Sequence, residues 1–175
     1  MRVVAYIATS LDGFIADSDG GVDWLNEIPN PDQSDYGYSA FIGGIDAILM
    51  GSTTFRFVES SGQWPFDKVV YVLSRSIRDV PSGFADRIRL VDGPIEQVLD
   101  RIQDEAGPNI YVDGGSVIQS CLAAGCLSQM VITTIPIILG AGIPLFAPSG
   151  CRVTLTHMST EVLGVGLVQS TYRIP

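Results

Sequence analysis

Three segments of this 175-residue sequence place glycine or hydroxyl residues directly after an apolar, β-branched run. The first is Ile110-Tyr111-Val112-Asp113-Gly114-Gly115-Ser116-Val117. A strand that enters two glycines and then a helix lets backbone approach a diphosphate, whose charge suits the helix N–H groups and dipole. The same pattern also describes a tight strand–helix turn with Ser116 as its cap. In the second, Ile48-Leu49-Met50-Gly51-Ser52-Thr53-Thr54, a strand passes through glycine to hydroxyls that open a helix. Ser52 and Thr53 there serve either as phosphate contacts or as an N-cap. The third, Val72-Leu73-Ser74-Arg75-Ser76, ends on an arginine. That arginine either holds a ribose 2′-phosphate, which selects NADPH over NADH, or stands as a solvated surface residue. Taken together and in this order, the three strand ends suit a redox dinucleotide.

Hydride transfer to a C=N or C=O bond also needs a proton, so an acid with a raised pKa belongs nearby. Three aspartates compete. Asp113 sits at a strand end where partial burial would raise its pKa, or it caps the helix that follows. Asp35 precedes the first helix and is otherwise an N-cap. Asp12, in Ser10-Leu11-Asp12-Gly13, is otherwise an Asx-turn residue. Trp24, Tyr38 and Phe41 suit either the wall of a planar-substrate site or the core. His157 lies in a late strand without a partner motif and reads as structural. Cys121, Cys126 and Cys151 include no CxxC pair, so neither a zinc site nor a disulfide framework is expected.

The elements that must position these residues follow from periodicity. Strands are expected at 3–9, 46–50, 69–73, 88–91, 110–112, 130–139, 152–158 and 166–174. Helical patterns cover 38–42, 53–59, 95–105 and 117–124. In the third of these, Ile95, Val98, Leu99 and Ile102 recur on one face. Strand–helix alternation through the first two thirds implies right-handed βαβ units and a mostly parallel sheet. The last two strands form an antiparallel hairpin at its edge. Hydrophobic residues make up 46% of the chain and charged residues 17%, which favours a packed core over disorder and fits one domain, 1–175. The net charge of −9 makes nucleic acid and acidic membrane surfaces poor partners. Neither a signal peptide nor a transmembrane helix is expected, and a reducing cytoplasm is the expected location.

The series Ser10-Leu11-Asp12-Gly13, MGSTTF, LSRS, VDGGSVI and ILGAGIPLF, in that order, resembles the dihydrofolate reductase superfamily. It is most similar to the reductase domain of the bifunctional riboflavin biosynthesis protein, over nearly the whole chain. The resemblance implies a three-layer αβα fold around a mixed sheet of about eight strands, with NADPH laid across the strand ends. It implies that Gly51, Ser52, Thr53, Ser74 and Arg75 hold the adenosine and phosphate end. Gly114, Gly115, Ser116 and Val117 would bind the pyrophosphate. Ala8 and Ile15, with a glycine-hinged loop at 17–24, would border the nicotinamide.

The chain also departs from the family. Ser52 stands where such proteins usually carry arginine, which leaves NADH open as cofactor, and Asp113 stands where the riboflavin reductases usually have glutamate. No basic cluster for a ribose phosphate is evident. The activity implied is NADPH-dependent reduction resembling that of 5-amino-6-(5-phosphoribosylamino)uracil. Reduction of dihydrofolate or another pterin is the alternative, with Asp35 as the acid placed for it. A non-catalytic nucleotide-binding protein on the same fold is the third reading. A homodimer through the apolar C-terminal strands is expected, with a small-molecule substrate, no nucleic acid, no membrane and no metal.

Overall fold

Ten strands and four α-helices form among the residues that the computed structural model describes, which are 1–80, 83–84, 86–146 and 152–175. They run β1 (Arg2–Ser10), β2 (Phe14–Ala16), α1 (Tyr38–Gly43), β3 (Ala47–Gly51), α2 (Ser52–Ser60), β4 (Val69–Leu73) and β5 (Ile88–Val91). Then follow α3 (Ile95–Ala106), β6 (Asn109–Asp113), α4 (Gly115–Ala123), β7 (Gln129–Ile135), β8 (Ile143–Pro144), β9 (Thr156–Val162) and β10 (Val168–Arg173). Eight strands make one mixed sheet in the order β5-β4-β3-β6-β1-β7-β10-β9, and β2 pairs with β8. The expected α/β class, strand number and antiparallel terminal hairpin are all present. The chain divides into two units, Met1–Val4 with Gly44–Leu127, and Ala5–Gly43 with Ser128–Pro175.

In the first unit β3 pairs in parallel with β4 and β6, and β4 with β5. Ala47, Ile48, Leu49 and Met50 are all 0% exposed, as a parallel strand covered on both faces requires. Helix α3 buries Ile95, Val98, Leu99 and Ile102, the face its spacing announced. Truncating Leu99 to alanine there would cost about 2–5 kcal/mol. The helix stops at Gly107, where φ is +129° and a Cβ would lie 2.7 Å from Asp46 Oδ2. That same oxygen accepts the Asn109 N–H and side-chain amide, at 2.8 and 2.9 Å, so the turn into β6 is closed by polar contacts.

In the second unit β10 lies antiparallel between β7 and β9. Trp24, Ile135 and Leu167 form a buried cluster, packed against Ala8, Leu25, Ile28 and Tyr36 among others. Two expected boundaries move. The strand expected at 130–139 ends at Ile135, before Pro136, which has no N–H to continue a ladder. The strand expected at 152–158 runs instead from Thr156 to Val162, and all seven residues are exposed, so no burial alternation marks its ends. The β2–β8 pair, three residues against two, was not anticipated.

Cys121 is buried, and burial pushes its thiol up to about 12, which suits a small core residue rather than a nucleophile. Cys126 is also a free thiol, and Cys151 lies outside the described residues. His157 lies on β9 with Nε2 2.7 Å from Thr160 Oγ1 and its ring edge-on to Tyr172. Among the described residues no helix is long and apolar enough to cross a membrane, and no acid, histidine and cysteine cluster suits a metal.

Candidate active site

The parallel register of the first unit brings the expected strand ends to one level. Met50 pairs with Asp113 and Gly51 with Leu73, so Gly51, Ser74 and Gly114 follow each other along one carboxyl edge. Ligands of open α/β sheets bind at such edges. Helices α2 and α4 start there, with Gly51 and Gly114 as their N-cap residues and no side-chain hydrogen bond closing either start. The alternative roles of Ser52, Thr53 and Ser116 as caps are therefore not realised, since all three stand inside the helices. The orphan N–H groups of both first turns are left to an external acceptor or to water.

Space at this edge is tight for two separate reasons. A Cβ on Gly51 would lie 3.1 Å from Ser116 Oγ. One on Gly114 would collide with Thr54 Oγ1, and Gly114 also has φ +87°, a conformation that other residues adopt with strain. Gly51 is buried and Gly114 half-buried, so both glycines let the starts of α2 and α4 pack closely against the facing turn at this edge. Beside them Ser74 Oγ accepts the N–H groups of Ser76 and Ile77 at 3.2 and 3.0 Å, which shapes the turn that carries Arg75. Arg75 is exposed and makes no ion pair among the described residues.

The three candidate acids differ sharply. Burial pushes Asp113 up from 3.8 to about 6, and hydrogen bonds from the Gly114 N–H and the Tyr111 side chain only partly oppose it. Asp35 accepts the N–H groups of Gly37 and Ser39, each at 2.9 Å, and hydrogen bonding to Ser39 holds its carboxyl below the ordinary range. Asp12 accepts the N–H groups of Leu139 and Gly140, and hydrogen bonding, to Ser10 foremost, lowers it as well. Asp35 is thus a helix cap and Asp12 a loop tie, both ionised at neutral pH. Asp113 alone of the three is poised to exchange a proton there.

The second unit holds a cavity of about 390 Å³ lined by Tyr6, Ala8, Asp35, Tyr36, Thr133 and Leu167 among others. Long-range hydrogen bonds build its polar wall. The Tyr6 hydroxyl donates to the Tyr36 carbonyl at 2.9 Å and accepts from Gln169 Nε2 at 2.9 Å. Gln169 Nε2 also reaches Thr133 Oγ1 at 3.0 Å, in register across β10 and β7. Tyr36 has φ +50°, so these bonds hold a residue in the left-handed region.

Of the aromatics expected at a substrate wall, Phe41 stacks on Tyr6 at 4.5 Å and Tyr38 meets it edge-on at 5.9 Å. They brace the cavity through Tyr6. Trp24, only 5% exposed, belongs to the buried cluster with Ile135 and Leu167, which themselves line the cavity. Ala8 lines the cavity and Ile15 is half-buried in β2. The glycines at 20 and 21 stand in a tight turn. Asp17 Oδ1 accepts the N–H groups of Asp19 and Gly21, and a Cβ on Gly21 would lie 2.7 Å from Asp17 Oδ2.

Residues overlooked in the sequence are Thr54, Tyr6, Tyr36, Thr133 and Gln169. Thr54 belongs to the MGSTTF segment, and its hydroxyl fills the space beside Gly114. Tyr6 carries a polar tip in the middle of the apolar run of β1, a signal that a strand face meets something other than core.

A profile described as the RibD C-terminal domain matches residues 2–169. The uncharacterized protein YwjB of Bacillus subtilis strain 168 is 34% identical over 167 residues, which cover 93% of this chain and 92% of that protein. A Shewanella sp. PV-4 crystal structure, which carries a provisional riboflavin biosynthesis name, is 38% identical with a TM-score of 0.95. It covers 100% of this chain and 99% of its own. Dihydrofolate reductase from Enterococcus faecalis, complexed with NADP(H), shares the fold at 16% identity and a TM-score of 0.65, over 99% of this chain and 96% of its own.

Proposed function

The chain belongs to the RibD C-terminal domain family, and from that membership we propose that it is an NADPH-dependent reductase of a small heterocyclic substrate. The observation that carries this reading is the carboxyl edge of the first unit, where a side chain at Gly114 would overlap Thr54 and one at Gly51 would press on Ser116, beside two helix starts without side-chain caps. That edge fits a dinucleotide. Gly114, Gly115, Ser116 and Val117 would hold its pyrophosphate, and Gly51, Ser52, Thr53 and Ser74 its adenosine and phosphate end. Arg75 would pair the 2′-phosphate. The neighbour of the same fold that binds NADP(H) supports this choice.

When bound, the dinucleotide supplies the hydride. The chain's own contribution is to orient, to bind and to hold a proton at the Asp113 carboxyl, whose pKa of about 6 lets it be loaded and unloaded near neutral pH. The cavity of the second unit receives the substrate, braced by Tyr6, Tyr38 and Phe41, with Trp24 in the adjoining buried cluster. One functional domain comprising both units is supported by a single family profile running from 2 to 169. The free thiols of Cys121 and Cys126 suit a reducing cytoplasm.

Thermal unfolding with NADPH tests the reading. At 100 times Kd the cofactor should add about 2.7 kcal/mol of stability. Loss of the reduced nicotinamide absorbance with pterin and ribosyl-pyrimidine substrates should follow. No stabilisation by NADPH or NADH would return the chain to a non-catalytic role. A pterin substrate is the second reading, favoured by the Asp35 carboxylate in the cavity wall.

A homodimer is supported by β9, an edge strand exposed throughout, with Met158 54% and Val162 78% exposed. Light scattering at micromolar concentration should give twice the 18.7 kDa chain mass. A single-chain mass overturns the dimer.

A further inference from the structure

Resting on the reading above, in which the second unit's cavity receives the substrate, we propose that this cavity takes an unphosphorylated heterocycle, neutral or cationic, and rejects a sugar phosphate. The charge lining the cavity is of one sign. Among the described residues Asp35 is its sole charged lining residue, and the polar remainder comprises neutral groups such as the Tyr6 hydroxyl, Thr133 and Asn30. Aliphatic side chains such as Leu167 supply the surface against which a flat ring packs.

The surrounding unit offers no remedy for a phosphate. It holds two cations, Arg152 and Arg173, against eight acids. Neither arginine lines the cavity. Arg173 stands four residues along β10 from Gln169, roughly 13 Å at the rise of an antiparallel strand. Both Asp35 oxygens already accept backbone N–H groups that favour the charged form, so the carboxylate stays ionised. A phosphate dianion entering here would shed water, meet a fixed negative charge and find no cation to pair with it. A ring that offers N–H donors meets acceptors instead. By contrast the first unit carries eight cations, among them the exposed Arg75 at its carboxyl edge.

The test uses one heterocycle in two forms, 5-amino-6-(5-phosphoribosylamino)uracil and its dephosphorylated counterpart 5-amino-6-ribosylaminouracil. Calorimetric titration into the full chain at low salt should show the unphosphorylated compound binding about tenfold tighter or better. The gap should narrow at high salt, where charge is screened. Asp35→Asn should narrow it too; asparagine keeps one of the two backbone N–H bonds and loses the other, so helix content by circular dichroism is read on the variant alongside. Equal or tighter binding of the phosphate ester overturns the proposal, as does binding of neither compound. A gap unmoved by salt and by Asp35→Asn overturns it as well. NADPH stabilisation is read on the same samples. Its presence beside a preference for the ester overturns the substrate class alone. Its absence overturns the reductase reading, while the compound pair still decides what the cavity accepts.

Discussion

On the proposed reading, the carboxyl edge of the first unit and the cavity of the second would recognise ligands by opposite means. At the edge, backbone does the work: Gly51 and Gly114 remove side chains, and the helix starts behind them keep their N–H groups free of side-chain caps. In the cavity, side chains do it: Tyr6, Thr133 and Gln169 are tied together across strands, and Asp35 sets the charge. The first unit holds eight cations against 11 acids, the second two against eight. Both units are net acidic, the second more so, and the proposed reading puts the anionic dinucleotide at the less acidic one and a ring without phosphate at the other. Backbone recognition tolerates no added atom, whereas side-chain recognition tolerates exchange but depends on every partner being present.

The largest expected effects fall on the edge. Asp113→Asn should lower turnover about 10²–10⁴-fold, the usual worth of a positioned acid. It should also stabilise the protein. Asp113 binds its proton more tightly folded than unfolded, with a pKa of about 6 against 3.8, so wild-type stability is greatest below 3.8 and falls as pH rises to about 6. Asparagine escapes that loss, and the variant should gain roughly 1–3 kcal/mol at neutral pH and nothing below 3.8. A variant that is less stable at neutral pH would show the carboxylate to be paired rather than desolvated. Gly114→Ala should cost about 2–4 kcal/mol in denaturant unfolding, because it adds strain at φ +87° to overlap with Thr54 Oγ1. Adding Thr54→Ala should return the overlap but not the strain. Full recovery in the double variant, or a loss below about 0.5 kcal/mol in the single one, would mean that the edge is looser than drawn.

Arg75→Ala gives a smaller and cleaner contrast. The residue is exposed and without an ion pair among the described residues, so stability should stay within about 0.5 kcal/mol. Affinity for NADPH should fall about tenfold, with that for NADH unchanged. Equal losses for both cofactors would remove Arg75 from the 2′-phosphate.

The same contrast explains what could be read from sequence. Backbone recognition leaves local marks, and the turns at Gly51 and Gly114 were visible because a buried run, a glycine and a helix start sit within a few residues. So was helix α3, whose apolar spacing is local. The cavity left almost none. Tyr6 and Gln169 lie 163 residues apart, and neither carries a motif. Trp24, Tyr38 and Phe41 were recognised as aromatic mass near the first helix. Only packing shows that two of them brace Tyr6 and that the third is core. Strand β9 misled for a related reason: exposed on every residue, it has no inward face for a period of two to reveal. Asp12 and Asp35 were equally ambiguous until their hydrogen-bond partners, in Asp12's case 127 and 128 residues distant, fixed them as ties.

The mildest test bears on the cavity alone. Tyr6→Phe keeps the ring that stacks on Phe41 but removes the hydroxyl shared by Tyr36 and Gln169. Burial raises the Tyr6 pKa, so at neutral pH the hydroxyl is protonated and donates to the Tyr36 carbonyl. Its loss should cost about 1 kcal/mol, the net worth of such a bond. The effect should be local, since Tyr36 sits at φ +50° and relaxes once released. Amide exchange should quicken in residues 30–37, and KM should rise a few-fold while kcat and NADPH stabilisation hold. A variant that instead loses cofactor stabilisation would mean that the cavity and the edge are not separable, and the division of labour between side chain and backbone would fail with it.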